Sequence, residues 1–341
     1  MLPVLFTLYS MASVLWAYNP DVAWKQLMTQ LQLALLLLFT YLIMLNGAQI
    51  KDYLDAIYIA GWSLAVFALV RYGGLSNFLE AMEDGARMGG EITNENTFGM
   101  VFSNATLAAA YYLVIHKQKK HIVSIAIFTF FALSSGSKKA ALLIVVGILG
   151  IAIVHYGIKR LYKTLLIGAA VLVAAWFVLQ LPVFETINKR LTSYFTGDLG
   201  KSDTARQNMI KFGLEMFKER PIFGYGLNNY RLFYPSGQYS HNNYIEVLVS
   251  GGVVGFLLYY SMYFLPLYTV FLGRHKNAIK QDKQYIMLLL WIGMDLVFGY
   301  GMVQIYRKSP HIMMGVLLAT TDKLDYEALR NPEQIIQKRI H

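Results

Sequence analysis

LMTQLQLALLLLFTYLIMLN, residues 27–46, carries no charged side chain along its whole length. A helix rises about 1.5 Å per residue, so this stretch spans roughly 30 Å, the thickness of a bilayer's hydrocarbon core. Working outward, comparable apolar blocks stand near 2–17, 54–72, 97–115, 122–136, 139–155, 164–181, 245–272, 284–304 and 307–321. Together they predict an all-α polytopic membrane protein with about 10 transmembrane helices. Composition agrees: of 341 residues 56% are hydrophobic and 15% charged, with mean hydropathy +0.43. A soluble domain carries about 25% charged residues, so a soluble enzyme is excluded. With no cysteine in the chain, a disulfide scaffold, a thiolate zinc site, an iron–sulfur cluster and a cysteine nucleophile are excluded as well. The first block lacks a basic start and a small-x-small cleavage site, so it reads as a retained helix rather than a signal peptide. This reading leaves room for a further span ahead of it.

Orientation follows from the lysines and arginines. With the N-terminus inside, the inner loops hold Lys51, the 117–120 lysines, Lys159, Arg160 and Lys163, the basic residues of 274–283 and those of the tail. That is about twice the number in the short outer loops. The formal +10 is therefore largely a topology signal, and nothing in it suggests nucleic acid. The chain divides into an N-terminal transmembrane bundle (1–181), an extracytoplasmic loop (182–243), C-terminal transmembrane helices (244–321) and a cytoplasmic tail (322–341).

The loop at 182–243 is the one long polar stretch, and loops of this length without a function are uncommon. Ser202 and Asp203 offer an N-cap for a helix running to Glu219, on which Met209, Phe212 and Met216 share a face and which Pro221 stops. An apolar stripe beside a bilayer predicts a helix lying on the interface or packed on the bundle.

Polar groups near the outer face are the candidates for chemistry. His241 precedes a span, and a histidine there fits both a general base acting on a hydroxyl and a solvated interfacial side chain. Arg206, at the start of the loop helix, fits an anion ligand or an ordinary exposed charge. Ser134-Ser135-Gly136-Ser137-Lys138-Lys139 forms a tight hairpin that joins approachable backbone amides to two cations, a combination suited to a diphosphate. Two lysines snorkelling toward headgroups fit it equally. Arg87, among the glycines of 85–90, offers the same chemistry more weakly, or a solvated turn. Asp295, inside a span between Gly293 and Gly299, fits a proton relay or an interhelical hydrogen bond. Tyr225, Tyr230, Tyr234, Tyr239 and Tyr244 fit sugar stacking or an aromatic belt. The seven histidines are scattered and none pairs with an acid at ligand spacing, so no metal site is expected.

Taken together, Arg206, Glu219-Arg220-Pro221-Ile222-Phe223-Gly224-Tyr225-Gly226, Ser240-His241-Asn242-Asn243-Tyr244-Ile245-Glu246-Val247-Leu248 and Gly251-Gly252-Val253-Val254-Gly255-Phe256 resemble the signature of the O-antigen ligase and O-antigen polymerase superfamily. In that family an arginine opens the loop helix and a Pro-hydrophobic-hydrophobic-Gly-x-Gly turn follows. His-Asn-x-Tyr-hydrophobic-Glu then precedes a span starting Gly-x-x-Gly. Ser13-Val14-Leu15-Trp16-Ala17, Arg87-Met88-Gly89-Gly90, Asn94-Glu95-Asn96 and the Ser137-Lys138 hairpin are similar to weaker features of the family. Members often have Ser-Arg in that hairpin; the lysine here keeps the charge and loses the bidentate fork.

The resemblance implies a GT-C-like glycosyltransferase of the bacterial plasma membrane. Its substrate is a glycan on undecaprenyl diphosphate, passed on the periplasmic or exterior face to an acceptor hydroxyl with no metal and no cofactor. Carried over, His241 is the base and Arg206 the diphosphate ligand, joined by Lys138, Lys139 and Arg87. Asn242, Tyr244 and Tyr239 face acceptor or sugar. The expected activity is polymerisation of lipid-linked repeat units into exopolysaccharide, capsule or O-antigen. A chain-length regulator and a flippase of the same pathway are expected partners, beside membrane lipid. A ligase moving finished glycan to a lipid or protein is the nearest alternative, and a lipid-linked oligosaccharide flippase is the alternative of another class.

Overall fold

A computed structural model of the chain describes residues 1–185, 188, 192, 201–272 and 283–330. Every regular element among the described residues is helical, and a helix lies over each of the ten apolar blocks. Among the described residues, four helices have the length and composition to cross a membrane: Pro20–Leu45, Ile50–Arg71, Glu95–Val114 and Asn243–Val270. Leu2–Trp16, His121–Ser134 and Met287–Gly299 are equally apolar but shorter.

The helices start where short polar side chains can occupy the first free N–H groups. Asn19 accepts from Val22 N at 3.2 Å, ahead of Pro20 in the first turn. Asn94, Ser137 and Asn242 cap the helices Glu95–Val114, Lys138–Tyr156 and Asn243–Leu267 in the same way. Two elements depart from expectation. A short helix, Leu75–Glu83, fills part of the connection between Ile50–Arg71 and Glu95–Val114 by burying Phe78 and Met82. The last helix, Lys308–Arg330, runs well past residue 321, into the stretch assigned to the tail. Six of its last nine residues, DKLDYEALR, are good helix formers, so loss of hydrophobicity does not end the helix.

The chain forms two compact units, Met1–Ile50 with Lys201–His341, and Lys51–Gly200. The second is centred on Phe78, Phe98, Phe102, Phe128 and Phe131, with the Phe102 and Phe131 rings stacked at 4.8 Å. Its helices approach closely at small residues, Gly61 against Ala105 and Gly99 against Ser135 and Ala140, as membrane helices do where no bulky side chain intervenes. In the first unit, Leu2–Ala12 packs on Asn243–Leu267 and Pro20–Leu45 packs on Lys308–Arg330. Gly315 lies there against the Leu37 carbonyl and Thr40. His311 donates from Nδ1 to the Arg307 carbonyl at 2.7 Å, which leaves Nε2 to accept from Gln30 Nε2 at 3.4 Å. This histidine serves packing.

Candidate functional site

The long helix Asn243–Leu267 is broken inside. Gly252 takes φ 59° and ψ −164°, a conformation essentially restricted to glycine. Breaking a helix strands carbonyls and amides that lipid cannot satisfy, and the Pro221–Gly226 segment supplies their partners. Tyr225 N and Gly226 N donate to the Val249 and Ser250 carbonyls at 2.8 and 3.0 Å, while Val253 N and Val254 N donate to those of Pro221 and Ile222 at 2.8 and 3.3 Å. The segment is a strap along the break. Gly224, at φ +70°, lies so close that an added Cβ would stand 2.5 Å from the Val249 oxygen. The end of the first helix closes over the strap: Trp16 Nε1 donates to the Phe223 carbonyl at 3.1 Å, Tyr18 N donates to the Tyr225 carbonyl at 2.9 Å, and Gly226 abuts Ala17. Tyr225 donates to the Glu219 carboxylate. Burial, and then this bond, push its phenol up to about 12, so it stays a donor at neutral pH.

Just ahead of the same helix stands His241, with φ +52°. The left-handed region is unusual for a side chain of this size, and residues on both sides hold it there. Ser240 is fully buried and gives both its N–H (3.2 Å) and its hydroxyl (2.7 Å) to Glu246 Oε2. Asn242 accepts from Ile245 N at 3.1 Å and donates to the Tyr300 carbonyl at 3.0 Å. Asn243 accepts from Gln304 N and Ile305 N at 2.7 and 2.8 Å and donates to Tyr260 at 2.9 Å. The imidazole is half-buried, its centroid 4.2 Å from that of Tyr239.

These contacts place several of the candidate residues. Asn242 is buried and its amide is engaged at both ends within the protein, so it shapes the turn. Tyr244 donates to the Leu296 carbonyl and stacks on Tyr260, and it too is spent on structure. Tyr225 and Tyr230 are core residues, the latter donating to the Met209 carbonyl at 2.8 Å. Tyr239 is exposed beside His241. Asp295 accepts from Tyr263 at 3.5 Å, which answers to the interhelical hydrogen bond.

The loop helix runs Lys201–Glu219; the side chains of Ser202 and Asp203, expected to cap it, lie outside the described residues. Met209 and Met216 are buried with Tyr225, Tyr230, Ile245 and Val249, and Phe212 is packed against them. The stripe thus faces protein. Arg206 sits half-buried on this helix, in the same unit as His241. Arg307, which the sequence did not single out, is within electrostatic reach of Tyr239 and Asp295. Fifty residues of chain separate it from the motif, so no local pattern could have marked it.

In the other unit, the 85–90 loop and the 134–139 hairpin come together. Arg87 donates to the Ser135 carbonyl at 3.0 Å and to Asn96 at 3.2 Å, and pairs with Glu95 at 3.8 Å. Met88 N donates to the Ser134 carbonyl at 3.1 Å. The 85–90 loop is therefore a brace and not a solvated turn. Arg71 pairs with Glu91 at 2.6 Å. Lys138 and Lys139 are half-buried and occupy the first turn of Lys138–Tyr156, behind the Ser137 cap. Cations at a helix N-terminus oppose the macrodipole; here amides and ammonium groups add into one positive region, which favours an anion.

The architecture is that of a helical membrane protein whose polar machinery is gathered around a broken helix and its strap. Residues 122–260 match the O-Antigen ligase family, a segment that contains the hairpin lysines, the loop helix, the strap and the His241 turn. Through that segment the chain is similar to the O-antigen ligase family. No curated protein matches the chain.

Proposed function

We propose that the protein is a glycosyltransferase that joins undecaprenyl-diphosphate-linked oligosaccharide repeat units into exopolysaccharide, capsule or O-antigen on the outer face of the plasma membrane. The observation that carries this reading is the His241 turn: a histidine held in a left-handed conformation by bonds on both flanks, within a segment matching a glycan-transferring family. Such fixing is what a general base needs, because proton transfer depends on geometry before it depends on pKa. His241 takes the proton of the acceptor hydroxyl as that oxygen attacks the anomeric carbon. The bond from that carbon to the lipid diphosphate breaks, and the diphosphate leaves with the electron pair. Arg206 stabilises the charge that develops on it. One direct displacement inverts the anomeric centre. Tyr239 offers an aromatic face for a sugar ring. Arg87, Lys138 and Lys139 form a second cationic surface whose chemistry suits phosphate.

The description of the matched family favours transfer of finished glycan as the second reading. Purified protein in liposomes, given the lipid-linked repeat unit alone, separates the classes. A ladder of products marks a polymerase. Transfer seen only after a second lipid or protein acceptor is added marks a ligase, and translocation with no new glycosidic bond marks a transporter and overturns the proposal.

A further inference from the structure

Glu246 is fully buried in the first turns of Asn243–Leu267. An acid at a helix start is ordinarily a capping device, but the geometry here is different. In a capping box the acid stands three residues after the cap and reaches back to the cap's own N–H; after Asn242 that position is Ile245. Glu246 is one residue further on, and its Oε2 passes the cap to take both donors of Ser240. The cap itself is already complete through Asn242 and Ile245. The other oxygen, Oε1, is buried with no hydrogen-bond partner among the described residues, and Arg231 supplies the opposing charge only at a distance. A half-satisfied buried carboxylate is a poor way to stabilise a helix, since an apolar side chain of similar volume packs there at lower cost. What the carboxylate does is hold the Ser240 N–H and, together with the Asn242 carbonyl at 2.8 Å, its hydroxyl, so that His241 in its left-handed conformation is flanked by two tethered residues.

We infer that Glu246 is a positioning residue, which through Ser240 locks the His241 imidazole in its reactive placement without touching substrate. This rests on the proposed role of His241 as base. Its test therefore includes a readout that needs no substrate: the rate at which diethyl pyrocarbonate modifies His241 in the purified full-length protein, followed by mass spectrometry with His116 as internal reference. Releasing a strained residue changes its conformer populations by about fivefold or more. Glu246→Ala is expected to raise the His241 rate by at least about fivefold with His116 unchanged, and Glu246→Gln, which keeps an acceptor for Ser240, to stay within about twofold of wild type. In the transfer assay, Glu246→Ala lowers kcat by about tenfold to a hundredfold, as a misplaced group does, with KM for the lipid donor unchanged. Glu246→Gln recovers most of kcat. A folded Glu246→Ala protein with a wild-type His241 rate overturns the inference. Should wild type transfer nothing while Glu246→Ala still raises the His241 rate, the positioning stands and the glycosyltransferase reading falls. If Glu246→Ala does not fold, Ser240→Ala removes the hydroxyl arm alone and carries the same expectation, and an unchanged His241 rate in that variant also overturns it.

Discussion

At the scale of single residues, the side chains named as site candidates divide into those bound up in the protein's own hydrogen bonds and those that the proposed reaction uses. The sequence places His241, Arg206 and the asparagines in one motif, and pattern alone gives them all the same rank. Contacts separate them: Asn242 and Asn243 spend their side-chain polar atoms on the turn, on the 300–305 segment and on Tyr260, whereas the imidazole lies half-buried beside an exposed tyrosine. Asn242→Ala is expected to cost about 1 kcal/mol or more in stability, the usual value of an N-cap. Thermal unfolding in detergent measures it, and an unchanged melting temperature would show the cap to be dispensable. Arg206→Ala should slow transfer by about a hundredfold, the scale of removing one charge-stabilising donor. Lys138→Ala should lower transfer while Lys138→Arg, which restores the fork, keeps or raises it. Equal rates for wild type and Lys138→Ala would remove the hairpin from the reaction.

At the scale of elements, helices were legible because apolar blocks, Asn and Ser caps and Pro221 are local signals, and a helix is found over every apolar block. The break at Gly252 was not. The Gly251-Gly252-Val253-Val254-Gly255 run reads as a continuous membrane helix, and only the strap 200 positions from the first helix and 30 from the break makes its irregular backbone affordable in lipid. Likewise Ser13–Trp16, a faint sequence similarity, gains its reason as the element that seals the strap. Gly224→Ala and Gly252→Ala each force a Cβ into left-handed backbone, costing about 1–2 kcal/mol, and into the facing chain: Val249 O for the first, the Ile222 backbone for the second. Both variants should melt well below wild type or fail to accumulate. Wild-type stability in either would contradict the strap.

At the scale of the whole molecule, composition alone places the chain in a membrane, and the basic residues predict its orientation, but a hydropathy pattern measures how apolar a block is and not whether it spans. Among the described residues, four helices have the length and composition of a crossing. Orientation has a clean test because the chain holds no cysteine. Ser236→Cys, on the exposed end of the 182–243 loop, should react with an impermeant maleimide added to intact cells; protection until the cells are opened would put the loop inside and remove the mechanism. The central claim is that His241 performs glycosyl transfer. Wild type and His241→Ala, reconstituted at equal amounts and matched for melting temperature, are given the undecaprenyl-diphosphate repeat unit, and the products are separated by length. The account predicts a ladder from wild type and none from His241→Ala; a ladder of wild-type yield from His241→Ala would contradict it.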